Sequence, residues 1–98
     1  MAAVVLHVEI TLKAGTRERF LARAQEHRKN VLEREPQCQR FDISSEEGNP
    51  ETIRLYEVYD NEAAVEQHMR TGYMASYRED TGPFVEDRKI TRAVLQNG

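Results

Sequence analysis

The stretch Thr52-Ile53-Arg54-Leu55-Tyr56-Glu57-Val58-Tyr59-Asp60-Asn61 decides the fold. Its first eight residues alternate. Ile53, Leu55, Glu57 and Tyr59 share one face, and Thr52, Arg54, Tyr56 and Val58 share the other. Period-2 alternation of β-branched and aromatic residues predicts a strand. Immediately upstream, Ser45-Glu46-Glu47-Gly48-Asn49-Pro50 is a cluster of turn residues. Before it, Gln39–Ser44 reads as another strand, with Phe41 and Ile43 opposite Arg40 and Asp42, so the two strands form a β-hairpin. Downstream, Asp60 is the expected N-cap of a helix from Asn61 to about Arg70. Thr71-Gly72 interrupts that helix, Tyr73–Glu79 adds one or two turns, and Asp80-Thr81-Gly82-Pro83 reads as loop.

The flanks complete the pattern. Val4–Leu12 alternates over nine residues, with Val4, Leu6, Val8, Ile10 and Leu12 on one face. Lys13-Ala14-Gly15-Thr16 is a turn, with Thr16 as the expected helix cap. Arg17 to about Arg34 is rich in helix formers and carries the apolar stripe Phe20, Leu21, Ala24, Val31, Leu32, with His27 and Arg28 filling its gap. Pro36 biases Glu35 away from helix and sets the stop. Near the end, Arg88–Leu95 alternates as a fourth strand. The predicted class is α+β: a ferredoxin-like split β-α-β-β-α-β arrangement, an antiparallel sheet with the helices on one face.

Ninety-eight residues make about one domain, taken as 1–98. The formal charge, 14 − 17 = −3, argues against a nucleic-acid binder. No apolar run approaches the roughly 20 residues of a membrane span. Met1-Ala2-Ala3-Val4-Val5-Leu6 lacks the basic start of a secretion signal. Cys38 is the single cysteine, so no internal disulfide or cysteine-based zinc site can form. These features fit a soluble, cytoplasmic protein. Val5, Tyr56, Val58, Ala93 and Leu95 fall on the sheet face away from the helices. That is too much apolar surface to leave in water as one patch. A chain this small also has a thin core, so a homodimer packed sheet to sheet is expected.

Three ionisable groups stand where apolar residues belong. Glu57 lies between Leu55 and Tyr59 on the face beneath the helices. His68 follows Ala64 and Val65 on the inner face of the second helix, and His27 interrupts the stripe of the first. A carboxylate among Ile, Leu and Tyr is costly unless paired. A Glu57–His68 pair, or a pocket lined by both, resolves that cost and is suited to moving a proton near neutral pH. The bland alternatives are a hydrogen-bond hub at Glu57 and edge histidines. Tyr73 and Tyr77, at i and i+4, either pack or line the same space, and Cys38 reads as inert. No metal is expected, because His7, His27 and His68 lie on separate elements without an H-x-H or H-x-x-x-H pair. No phosphate loop, nucleophile elbow or dinucleotide fingerprint is present, so no cofactor is expected.

The sequence resembles the antibiotic biosynthesis monooxygenase domain of the dimeric α+β barrel superfamily. Glu35-Pro36-Gln37-Cys38-Gln39-Arg40-Phe41-Asp42-Ile43 is similar to the family's E-P-G-C-x-R-Y/F-D-V segment, with Gln37 in place of Gly. Leu55 through His68 is similar to its Y-E-x-W/Y-x-D/S-x-x-A-x-x-x-H block, and Lys13-Ala14-Gly15 to its K-P-G turn. The resemblance implies a dimer with a cavity between sheet and helices in each subunit. It implies oxygenation of a phenol, quinol or polyketide-type substrate without metal or flavin. His68 and Glu57 are then the catalytic candidates, and Tyr59, Tyr73, Tyr77 and His27 the substrate-binding ones. The chain has no Trp, which argues against the haem-degrading branch. A second similar branch isomerises a phosphorylated dione of the autoinducer-2 type and needs a cation, for which Arg88, Lys89 and Arg92 are candidates. A dimeric module that only binds a ligand is the third reading.

Overall fold

The computed structural model describes residues 2–97. Met1 and Gly98, which belong to the expected 1–98 span and to the reading of the N-terminus, lie outside the described residues. The elements run β1 (Val4–Leu12), α1 (Arg17–Arg34), β2 (Cys38–Glu46), β3 (Asn49–Tyr59), α2 (Glu62–Met69), α3 (Gly72–Thr81) and β4 (Val85–Val94). All strand pairs are antiparallel, in the order β2-β3-β1-β4. This is the α+β split β-α-β-β-α-β arrangement, with the second helical segment divided in two.

Burial follows the alternation. Leu6, Val8, Ile10 and Leu12 of β1 join Ile53, Leu55 and Tyr59 of β3 and Phe41 of β2 beneath the helices. From above, α1 contributes Phe20, Ala24 and Val31 to the same core. Each fully buried Phe, Leu, Ile or Val stabilises the fold by about 1.5–3 kcal/mol. Leu32, read as part of the stripe, is 37% exposed, whereas His27 is 2% exposed. The buried row is therefore Phe20-Ala24-His27-Val31, and His27 belongs to it. On the other sheet face, Ala3, Val5 and Val58 cluster with Tyr56, Ala93 and Leu95, as the alternation requires.

Several boundaries differ from the sequence reading. The hairpin strands continue to Glu46 and from Asn49, leaving a tight turn in which Gly48 adopts φ +80°. Pro50 is tolerated in β3 because pairing with β1 stops at Thr52, so no β1 partner needs its missing N–H. Thr16 is not a side-chain cap; its hydroxyl donates to the carbonyls of Lys13 (2.7 Å) and Phe84 (3.2 Å). It ties the start of α1 to the segment before β4 instead. Asp60 is not the cap of α2 either. Asn61 holds that position, its Oδ1 accepting from the Ala64 N–H at 2.9 Å. The Asp60 carboxylate instead accepts from the Gln39 side chain at 2.7 Å. Thr71 caps α3, which runs on through Asp80 and Thr81 rather than ending in a loop. The 3₁₀ turn Gly82–Phe84 follows, and β4 begins three residues earlier than Arg88. Among the described residues no helix is long and apolar enough to cross a membrane.

Candidate functional site

Glu57 occupies the middle of the sheet, with Leu6 of β1 and Phe41 of β2 directly opposite on its two sides. It is 4% exposed, and His68 above it on α2 is 1% exposed. The His68 Nε2 lies 3.9 Å from Glu57 Oε1, close but beyond hydrogen-bond length. The Tyr59 hydroxyl donates to the same Oε1 at 2.7 Å. Burial pushes the Glu57 carboxyl above its ordinary range. That outweighs the Tyr59 hydrogen bond and the charge of His68, both of which pull it down.

A third acidic residue completes the group, and its side chain escaped the sequence reading. Glu35 caps the C-terminus of α1, where Pro36 turns the backbone out of the helix. Its two carboxylate oxygens lie 3.1 and 3.0 Å from His68 Nδ1. The Tyr73 hydroxyl also donates to Glu35 Oε2. Burial pushes the Glu35 carboxyl upward, but the hydrogen bonds from His68 and Tyr73, with the charges of His68 and His27, hold it below its ordinary range. The E-P-x-C motif was legible as a helix stop; nothing in its spacing pointed to a residue 33 positions away.

His27 stacks on Tyr77, with ring centroids 4.1 Å apart and planes 8° apart, and meets Phe41 edge-on at 5.8 Å. Burial lowers its pKa to about 4, assisted by the charges of His68, Arg23 and Arg78 and opposed by Glu35. His27 is therefore a neutral ring at pH 7. Its Nδ1 is a buried polar atom without a hydrogen-bond partner, and beside it the Tyr77 hydroxyl and the Arg88 guanidinium Nη2, both buried, interact only with each other. All three residues line one cavity with Glu57 and His68, under an apolar lining that includes Leu6, Val8, Phe41 and Leu55. A void lined by polar atoms short of hydrogen-bond partners is where a polar ligand recovers hydrogen bonds.

Of the predicted site residues, Glu57, His68, His27 and Tyr77 meet at this cavity. Tyr59 and Tyr73 sit behind it, holding Glu57 and Glu35 respectively. Among the three cationic candidates, Arg88 reaches the cavity, joined by Arg78. Lys89 lines a groove on the opposite sheet face with His7, Glu9 and Tyr56, and Arg92 pairs with Glu62 at 2.5 Å. Cys38 is buried, its thiol pushed up to about 11 mainly by burial, which denies it a nucleophilic role at neutral pH. Among the described residues no group of three or more His, Cys, Asp or Glu is placed to hold a metal ion.

The cavity is small, with about 20 Å³ of water-accessible space, room for little more than one water. Beside it an open groove of about 290 Å³ runs between α2 and β4. Leu6, Met69 and Ile90 line both spaces, so they form the partition between them. Met69 is 41% exposed, and its unbranched thioether is the side chain of the three most readily repacked.

An antiparallel sheet roofed by helices, with a buried acid–imidazole group between the layers, defines a small α+β domain built around an internal site. The chain belongs to the antibiotic biosynthesis monooxygenase family, whose model matches residues 3–80. No curated protein matches it in sequence. Solved structures share the fold closely. A Nitrosomonas europaea protein provisionally described as an antibiotic biosynthesis monooxygenase superposes with a TM-score of 0.92 at 23% identity, covering 97% of this chain and 91% of its own. A Caulobacter crescentus protein with the same provisional description gives 0.93 at 15% identity, covering 96% and 90%. A conserved protein from Methanosarcina mazei gives 0.86 at 16% identity, covering 100% and 95%. At these identities the likeness speaks for the fold.

Proposed function

We propose that this protein is a cofactor-independent monooxygenase of a small phenol, quinol or polyketide-type substrate. The observation that carries the reading is the Glu57–His68 pair at an apolar cavity that also holds the unpaired His27 Nδ1 and, next to it, the Tyr77 hydroxyl. A substrate oxygen satisfies those two groups while its ring fills the apolar space once Met69 moves aside. Either Glu57 or His68 takes the proton whose loss makes the substrate an electron-rich anion. The anion passes one electron to dioxygen, and the resulting radical pair joins as a C–O bond. The peroxide receives the proton back, and the O–O bond then breaks with loss of water. One oxygen atom stays on the ring, the other leaves as water, and all reducing electrons come from the substrate. Neither metal nor flavin is required by that balance. The test is oxygen uptake with a panel of hydroquinones, with no metal or flavin added. Uptake by the wild-type protein that disappears in His68→Ala supports the reading; no uptake across the panel refutes it.

Arg78 and Arg88 at the cavity favour a second reading, isomerisation of a small phosphorylated dione, with the arginines on the phosphate. Deuterium exchange at the substrate carbon without oxygen uptake distinguishes it. For either chemistry the assembly we propose is a homodimer. The face carrying Val5, Tyr56, Val58, Ala93 and Leu95 is apolar and has no helix over it, and two-fold packing of that face on itself is self-complementary.

A further inference from the structure

The two carboxylates flanking His68 are not equivalent. Glu57 faces the cavity side of the ring, near Nε2, while Glu35 faces the other side, at Nδ1. Glu35 lines a separate crevice with Pro36, Gln37, Tyr59, Ala64 and Gln67. A carboxylate only accepts hydrogen bonds, so the nitrogen lying 3.0–3.1 Å from both its oxygens must carry the hydrogen. The neutral ring then keeps a bare lone pair on Nε2. Left to itself, a neutral imidazole prefers the opposite arrangement, with the hydrogen on Nε2, so the contact works against the ring's own bias.

We propose that Glu35 is a positioning residue that holds His68 as the Nδ1–H tautomer and thereby makes Nε2, on the cavity side, the atom that takes the substrate's proton. The inference rests on the proton-transfer reading above and decides which of its two candidates is the base. The Tyr73 hydroxyl on Oε2 fixes the carboxylate, so the orientation of the ring is held from three elements: the end of α1, α2 and α3. When Nε2 takes a proton, the imidazolium has an anion against Nδ1 within hydrogen-bond distance. The environments support the division of labour. Glu35 is kept ionised by its donors, whereas burial makes Glu57 easier to protonate. The proton held on Nε2 is then the one returned to the peroxide.

Long-range ¹H–¹⁵N correlation on uniformly ¹⁵N-labelled protein at pH 7.5 reads the tautomer directly. In the wild type His68 should appear as the Nδ1–H form. Glu35→Gln presents an amide that can donate to Nδ1, and the ring should shift to Nε2–H while the remaining spectrum stays dispersed. With any hydroquinone that the wild type oxidises, kcat should fall about 10³-fold or more in Glu35→Gln, with KM changed little, as when a carboxylate that sets a histidine tautomer becomes an amide. A wild-type His68 in the Nε2–H form overturns the proposal whether or not the variant folds. So does a folded Glu35→Gln with an unchanged tautomer or a normal rate. If no hydroquinone is oxidised, the monooxygenase reading fails separately, and the two tautomers decide the role of Glu35.

Discussion

Acidification should weaken the fold through His27, by an amount that follows from its burial. The ring is 2% exposed, and its pKa falls to about 4 from the ordinary 6.5. As pH drops, the unfolded chain takes up the proton first. The stability His27 contributes is complete above pH 6.5 and is lost as pH falls toward 4. A shift of that size amounts to about 3 kcal/mol in full, and about 2 kcal/mol between pH 7 and pH 5. Glu57 acts in the opposite sense. Its raised folded value gives stability that is complete below the ordinary carboxylate pKa and lost as pH rises through the folded one. The measurement must therefore be differential. Urea unfolding of wild type and His27→Phe at pH 7 and pH 5 isolates the histidine, since Phe keeps a ring against Tyr77 and cannot be protonated. The wild type should lose about 2 kcal/mol more than the variant over that interval. Equal losses in the two proteins would refute the claim that His27 is held neutral by burial.

Three further outcomes are expected. His68→Ala should abolish turnover and lower stability by about 2–4 kcal/mol, because the partly buried Glu35 carboxylate loses a hydrogen-bond donor, as paired activity and unfolding assays would show. Glu57→Gln keeps an oxygen for the Tyr59 hydroxyl but removes the ionisable group, so the rate should drop about 10²-fold or more. The same variant should gain stability relative to wild type as pH rises from 4.5 to 8, and a normal rate in the folded variant removes Glu57 from the mechanism. Light scattering at micromolar concentration should give a dimer mass, and a monomer mass would mean that the Val5–Val58 face is covered in some other way.

The sequence by itself determined which residues share a face. Alternation through Val4–Leu12 and Thr52–Tyr59 put Glu57 under the helices, and the spacing of Ala64, Val65 and His68 put the imidazole above it. Periodicity reports direction within an element, and a charged group on an apolar face violates the local pattern visibly. Caps were harder to place: Asp60 and Asn61 are both good capping types, and backbone conformation chose Asn61. The tertiary structure alone decided that His68 hydrogen-bonds Glu35, with the expected partner Glu57 standing 3.9 Å off. In the sequence Glu35 marks only the stop of the first helix and the start of the E-P motif, because its partner lies 33 residues away across a packed interface. The choice of Arg88 over Lys89 and Arg92 and the placing of Met69 and Ile90 between cavity and groove likewise depend on how β4 sits beside α2 and α3. Such contacts depend on how elements pack, which no spacing within a single element encodes.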